Sequence, residues 1–383
     1  MNNTPKPKLL YIISDDNYFL SHRLGLAKAA QADGYDVSVL AFENDTKFTD
    51  KIKSHGFDFI GFNQRAHGLG LIDNIKLIAQ TRKVINQHRP DLIHTVSMRM
   101  MFLVTIAFWI SKSKRMVATL TGMGYLETAS SPMIRVVKWC VTKAFKLMFS
   151  SKRIQLVVQN ADDYAGVKGK FIHESRLHLV RGSGVDTDAF PVLPLPDDKL
   201  IQVTFVARML RDKGLEELVD AASMIKKQNI AHIQINLVGM PHEVNPYSVS
   251  ERQLRVWHDQ GLVNWQGFRS DIVEVWRESH VAVLPSYREG LPKSLLEAAS
   301  CGRAIITTDV PGCREMIDDN NSNGLLVAVK HPRKLAEAIV EISKDIQKLE
   351  QMGLNSRKMV EEHFADTVVN KQMLDIYRIT INN

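Results

Sequence analysis

Cysteine is scarce in this chain of 383 residues: Cys140, Cys301 and Cys313 are an odd set with no metal-ligand spacing. That excludes a disulfide framework and a zinc cluster, and it suits a reducing compartment. The 13 histidines show no paired spacing either, so no metal or cofactor is expected. Long apolar runs are also missing: the longest, Met100 to Ile110, is about half of the ~20 residues that a bilayer span takes. The N-terminus passes from the polar lead MNNTPKPK straight into the strand-like LLYIIS, which predicts no signal peptide. What remains is ordinary: 45% hydrophobic and 24% charged residues over this length predict large cores divided between two domains.

Charge is divided unevenly. Residues 1–181 carry 26 Lys and Arg against 14 Asp and Glu, whereas 182–383 carry 23 against 28. Nucleic acid is one reason for such asymmetry, but no nucleic-acid motif or aromatic-interleaved basic run accompanies it, so none is expected as a partner. Between Glu127 and Asp162 there is no acidic residue at all. On a helical wheel Arg135, Lys138, Thr142, Lys143 and Lys146 share one arc, opposite Met133, Val136, Val137, Cys140, Val141, Ala144, Leu147 and Met148. This basic amphipathic helix either lies on an anionic membrane surface or packs on a core with its basic face solvated.

Val/Ile/Leu-rich runs alternate with helical stretches, which predicts an α/β class of doubly wound parallel sheets covered on both faces. Strands are expected from Leu9 to Ser14, Asp36 to Phe42, Phe57 to Phe62, Leu92 to Val96, Met116 to Thr121, Leu156 to Gln159 and Leu177 to Val180. They resume from Ile201 to Ala207, His232 to Gly239, Val263 to Phe268, Val281 to Ser286, Ala304 to Thr308 and Leu325 to Val329. The Pro-rich PVLPLPDD (191–198) predicts the boundary between a first domain over 1–190 and a second over 191–360. Beyond 331 the pattern is helical, and a last helix over 361–383 is expected to cross back onto the first domain.

The stretch LPSYREGLPKSLLEAASCGRAIITTDVPGCRE (284–315) sets two carboxylates, Glu289 and Glu297, across a strand-loop-helix junction. Tyr287 to Leu291 is the loop, and Pro292 is expected as the first helical residue, where the missing N–H has no intrahelical partner to lose. Ligands bind beyond the carboxyl ends of strands in such sheets, and helix-start N–H groups suit phosphate oxygens. The layout is that of a grip on a sugar nucleotide: Glu297 accepts two hydrogen bonds from a vicinal diol such as ribose, and Glu289 faces the transferred sugar. A second constellation, VTFVARMLRDKGLEELVDAA (203–222), carries Arg208, Arg211 and Lys213 on a loop after a strand, with Gly214 admitting the chain into a helix. Cations there suit a departing diphosphate, because charge developing on the leaving group is what such a site must stabilise.

With these residues in view, the chain resembles the GT-B-fold glycosyltransferases, specifically the retaining class called glycosyltransferase family four. The resemblance covers nearly the whole chain and rests on ARMLRDKG (207–214), GFRSDI (267–272), the 284–315 stretch and NGLLV (323–327). It implies two Rossmann-like domains with a cleft between them. It also implies Arg208 and Lys213 on the donor diphosphate, Glu297 on the ribose and Glu289 on the donor sugar. The backbone around Gly290, Leu291, Lys293 and Ser294 would approach sugar or phosphate, and Gly239, Met240, Phe268 and Arg269 fall where the base-binding loops lie. The first half departs from the commonest pattern: the usual Gly-Gly loop is replaced by SDDNYFLSHRLGLAKAA (14–30), and LTGMGY (120–125) stands where many relatives carry His-Gly. Both features resemble the branch that elongates lipid-linked glycans. Asp16, Asn17, His22, Thr121, Gly122 and Tyr125 are therefore expected on the acceptor side, with His22 a cap and Thr121-Gly122 a tight strand exit as the structural alternatives.

Other signals carry less. Asp186-Thr187-Asp188 imitates a metal motif but reads as a turn or cap. His94, in a buried strand, reads as a satisfied core histidine, and Glu127 is either a base or a loop charge. The resulting expectation is metal-independent, retaining transfer of a hexose or N-acetylhexosamine from a UDP-sugar to a polyprenyl-diphosphate-linked saccharide. The setting expected is surface-polysaccharide synthesis, in a cytoplasmic protein peripheral on the inner face of the membrane. A transferase with a soluble acceptor, a sugar-nucleotide epimerase of the same fold and a non-catalytic sugar-nucleotide-binding subunit are the alternatives.

Overall fold

The computed structural model describes residues 5–63, 70–122, 142–197, 199–242 and 245–382. The chain forms two compact units, one of Met1–Gly184 with Val369–Asn383 and the other of Val185–Val368.

Unit 1 runs β1 (Lys8–Asp15), α1 (Asp16–His22), α2 (Leu24–Ala32), β2 (Asp36–Phe42), α3 (Thr46–Ser54), β3 (Asp58–Gly61), α4 (Leu71–His88), β4 (Leu92–Val96) and α5 (Met98–Trp109). It continues with β5 (Arg115–Leu120), a helical stretch α6 over 142–148, β6 (Ile154–Val158), α7 (Ala161–Val167) and β7 (Leu177–Leu179). The strands form one parallel sheet in the order β3-β2-β1-β4-β5-β6-β7, a switch point falling between β1 and β4, where the progression of strands along the sheet changes hand. Its central strands are apolar on both faces because both faces are covered: LIHTV of β4 and IQLVV of β6 are buried throughout. On one face α4, α5 and α6 close a core that includes Leu77, Val84, Val104, Phe108, Phe145 and Met148. The other face is closed by α1, α2, α3 and the last helix of the chain, α14.

Unit 2 runs β8 (Ile201–Val206), α8 (Leu215–Lys227), β9 (Ile233–Val238), α9 (Glu251–Asp259), β10 (Asn264–Gly267), α10 (Ile272–Arg277), β11 (Val281–Leu284) and α11 (Lys293–Ser300). Then come β12 (Ala304–Thr308), β13 (Gly324–Val327), α12 (Pro332–Ile342) and α13 (Ile346–His363), before α14 (Asp366–Asn382). Its parallel sheet has the order β10-β9-β8-β11-β12-β13, again with a switch point, between β8 and β11. Helix starts follow the local chemistry: Asp345 accepts from the N–H groups of Gln347 and Lys348 at 3.0 and 3.1 Å, and Pro332 opens α12.

Each expected strand is present, with ends that differ by a residue or two. Pro292 differs slightly: it has extended backbone (φ −76°, ψ 108°) and caps α11 from outside, with Lys293 as the first helical residue. The changeover between units lies at Gly184/Val185, ahead of the Pro-rich stretch. That stretch packs within unit 2, where Leu193 is buried and Arg303 donates to the Pro194 carbonyl at 2.8 Å. On α6, Leu147 is exposed and Phe145 is buried instead, so the core side of this helix lies off the arc that the wheel assigned. Arg135, Lys138 and the rest of 133–141 lie outside the described residues. Among the described residues no helix is long and apolar enough to cross a membrane.

Candidate functional site

The carboxyl edge of the unit 2 sheet gathers the residues that the motifs singled out. After β8 the chain makes a short 3-10 turn over Arg211–Lys213 and enters α8 through Gly214 at φ +73°. A Cβ on Gly214 would stand 2.0 Å from the Pro285 carbonyl oxygen, so only glycine lets this turn lie against the end of β11. The contact is fixed by hydrogen bonds from Tyr287 N–H and the Ser286 hydroxyl to the Asp212 carbonyl, at 2.9 and 3.2 Å. Lys213 is thereby carried to Glu289, and Nζ donates to Oε1 at 2.5 Å with side chains only 18% and 14% exposed. The two residues are 76 positions apart in sequence.

Glu289 is held from behind as well. Its N–H donates to the Pro311 carbonyl at 3.2 Å, and Gly312 packs so closely that a Cβ there would stand 2.4 and 2.6 Å from the carbonyl oxygens of Glu289 and Gly290. Glu297 lies on α11, buried, 3.3 Å from Lys293 one turn before it. Burial pushes its carboxyl above the ordinary glutamate range, and the Lys293 ammonium pulls it partly back. Leu291 and Ser294 are partly buried beside them. Two ammonium–carboxylate pairs, Lys213–Glu289 across two loops and Lys293–Glu297 on the first turns of α11, thus stand at this edge, an arrangement that exchanges hydrogen bonds readily with a polyhydroxyl, phosphate-bearing ligand.

The remaining cations differ. Arg208, at the end of β8, is exposed, whereas Arg211 turns away to Glu216 at 2.8 Å. Arg269 is committed internally, bonded to Asp271 at 2.6 Å and to Glu278 at 2.5 Å, and both carboxylates hold its guanidinium charged. Gly239 donates to the Gly267 carbonyl at 2.7 Å and accepts from the Trp265 indole at 2.9 Å, which ties the loops after β9 and β10 together. Met240 and Phe268 are exposed on those loops, Phe268 to 75%.

In unit 1, Asp16 follows β1 and Thr121 and Gly122 follow β5, and the described residues expected there are differently employed. Asp16 is buried, its oxygens accepting from the N–H groups of Asn17 at 2.7 Å and Asn44 at 2.9 Å, so it clasps the loop after β1 to the loop after β2. Asn17 is exposed. His22 stacks on Tyr18 with ring centroids 4.4 Å apart and shares a hydrogen bond with the Ser21 hydroxyl at 2.7 Å. Thr121 and Gly122 follow β5 directly, and Tyr125 and Glu127 lie outside the described residues. His94 is a core residue: its ring bonds the Tyr377 hydroxyl at 2.5 Å and the Thr119 hydroxyl at 2.8 Å, and burial lowers its pKa. Asp186 accepts from Asp188 and Ala189 N–H at 3.0 and 2.9 Å, a turn.

Motif reading passed over Tyr287, whose hydroxyl donates to Glu217 at 2.6 Å while Lys330 Nζ sits 4.7 Å from its ring. Its only signal was its place between the strand end and Glu289.

Residues 186–359 match the family described as glycosyl transferases group 1, and 8–151 match glycosyl transferase 4-like. The chain is 27% identical, over 95% of its length and 99% of the relative's, to an N,N'-diacetylbacillosaminyl-diphospho-undecaprenol alpha-1,3-N-acetylgalactosaminyltransferase of Campylobacter jejuni. It is 23% identical, over 81% and 80%, to a UDP-Gal:alpha-D-GlcNAc-diphosphoundecaprenol alpha-1,3-galactosyltransferase of Escherichia coli. Among solved structures, a sucrose-phosphate synthase from Thermosynechococcus elongatus superposes with a TM-score of 0.79 at 20% identity, covering 97% of this chain and 98% of that one. HepE of Anabaena, in complex with UDP, gives 0.75 at 18%, covering 97% and 99%.

Proposed function

The chain belongs to the glycosyl transferases group 1, of GT-B fold, and from that premise we propose that it moves a hexose or N-acetylhexosamine from a UDP-sugar to a polyprenyl-diphosphate-linked saccharide, with retention at the anomeric carbon. The observation that carries the reading is the Lys213–Glu289 pair, 2.5 Å long and mostly buried, beside the buried Glu297 at one sheet edge. The relatives' names support the lipid-linked acceptor, since two of them act on undecaprenol-diphosphate sugars. Glu297 accepts the ribose hydroxyls of the donor, and Glu289 accepts those of the sugar. Lys213 then turns its ammonium toward the diphosphate, joined by Arg208 and by the first N–H groups of α11, and the negative charge that builds up as the glycosidic bond breaks is met there. A diphosphate oxygen takes the proton of the incoming acceptor hydroxyl. Asn17, Thr121 and Gly122 line the acceptor side, and the basic first unit attends an anionic membrane.

The test is mass spectrometry of the protein with a panel of UDP- and GDP-sugars, with and without lipid-linked saccharide. One sugar added to the lipid species, with UDP released, is expected. A donor altered without any acceptor points to an epimerase, and binding without conversion to a non-catalytic subunit. Transfer to a soluble saccharide alone removes the lipid-linked part of the reading.

A further inference from the structure

Seven large apolar side chains of unit 1 are exposed among its described residues, and six of them, Leu71, Ile72, Ile75, Ile106, Leu147 and Ile110, which caps α5, belong to the single layer of α4, α5 and α6. Scattered exposed leucines need no explanation; a group on adjoining helices does. The helices do adjoin: Arg99 of α5 donates to Asn74 of α4 at 3.1 Å, Arg82 of α4 to the Ile110 carbonyl at 2.9 Å, and Phe102 of α5 meets Phe145 of α6 edge to face at 5.2 Å. Their inner faces fill one core, so the exposed side chains stand on the outer face of one layer. The two highest exposures, Leu71 (77%) and Ile72 (68%), fall in one turn that also holds Ile75 (56%).

The charge of this layer is as one-sided as its apolarity. The three helices carry Lys76, Arg82, Lys83, Arg99, Lys143 and Lys146 against one carboxylate, Asp73, while the layer on the opposite face (α1, α2, α3 and α14) carries six Lys and Arg against four Asp. A protein partner would be met by mixed charge and shaped pockets; apolar side chains fringed by long cationic ones match a lipid surface, where the stems stay with the acyl boundary and the charges meet anionic headgroups. Orientation agrees with the use. In a parallel sheet each crossover helix starts at the carboxyl edge, so the apolar turn of α4 lies at the edge that also bears Thr121 and Gly122.

We propose that the α4–α5–α6 layer is the face by which this protein docks on an anionic bilayer, with Leu71, Ile72 and Ile75 entering the boundary between headgroups and acyl chains. The inference rests on the membrane reading above and adds the first turn of α4 as an anchor. The test is co-sedimentation of the full chain with vesicles of phosphatidylcholine alone or mixed with phosphatidylglycerol. Selective sedimentation with the anionic vesicles is expected. Leu71→Ser with Ile72→Ser and Ile75→Ser should weaken it about tenfold or more, and Lys76→Glu with Lys83→Glu similarly. Thermal unfolding should be unchanged in both variants. No sedimentation of the parent protein, or sedimentation untouched by both variants, overturns the proposal. A concentration-dependent dimer that the serine variant dissolves also overturns it, by assigning the face to a second copy. Transfer to detergent-dispersed lipid-linked saccharide separates the two readings. Transfer without vesicle binding leaves the transferase and removes the dock; vesicle binding without transfer to any acceptor does the reverse.

Discussion

The carboxyl edges of the two sheets are made from the same kind of strand end, yet their described residues are held in different ways. In unit 2 the loops after β8, β11 and β12 are braced on one another: the turn at Gly214 lies on Pro285, the loop at Gly312 lies on Glu289 and Gly290, and the buried Lys213–Glu289 pair is formed across them. Among the described residues of unit 1, the segment after β1 is clasped by Asp16 to the Asn44 and Asp45 N–H groups, and His22 touches Ser21 and Tyr18. The difference teaches where geometry has to be held. On the proposed function, a site for a nucleotide and a departing diphosphate would gain from preorganised charge, while an acceptor surface would need adaptable groups on a common frame.

The sharpest way to break this contrast is at Lys213. Lys213→Ala should lower turnover by about 10²–10³-fold with the far-ultraviolet circular dichroism intact; a rate within a few-fold of the parent would remove the pair from the chemistry. Next comes Gly312→Ala, whose methyl group would have to displace the Glu289 and Gly290 carbonyls. A displacement on the order of 1 Å predicts about 10²-fold loss of activity, whereas a matched Gly169→Ala in unit 1, where nothing lies within 4 Å, should leave activity unchanged and cost only stability from its φ of +68°. Rates for the two variants give the comparison directly.

Glu297 allows a pH test of the same edge. Because burial raises its pKa, the carboxylate protonates, turning one acceptor oxygen into a hydroxyl donor, at a higher pH than an ordinary glutamate would. UDP affinity, measured by calorimetry, should therefore decline as pH falls through that raised value, by about tenfold or more on full protonation. Glu297→Gln should bind more weakly at neutral pH and show no such decline. The smallest expected effect lies in unit 1. Tyr377→Phe removes the hydroxyl shared by His94 at 2.5 Å and Tyr11 at 3.1 Å, and should cost about 1–3 kcal/mol of stability in chemical denaturation while UDP affinity stays the same. A fall in UDP affinity there would mean that the two edges are not independent.

The alternating pattern of apolar runs located the strands because a strand buried on both faces must be apolar at successive positions, and LIHTV or AIITT states this locally. The carboxylates and cations of unit 2 were legible for a related reason: strand end, loop and helix start are contiguous in sequence, so 284–297 displays its own architecture. Phe268 and Arg269 stand side by side in the sequence, yet one is exposed and the other is locked between Asp271 and Glu278, because the glutamate comes from beyond α10. Leu147 read as a core residue, since a helical wheel knows the period of a helix and not which side its neighbours occupy.

By itself, then, the sequence determined the parallel α/β character of both units, the positions of their strands and the family to which the motifs belong, because each is written in contiguous residues whose spacing follows the strand or helix repeat. Tertiary structure decided which polar groups meet. Lys213 reaches Glu289 across 76 residues and His94 reaches Tyr377 across 283. It also decided that Leu71, Ile72 and Ile75 remain outside the core that Leu77 enters on the same helix. Such pairings depend on how close backbones approach and on which surface lies opposite, and neither is encoded by neighbours along the chain.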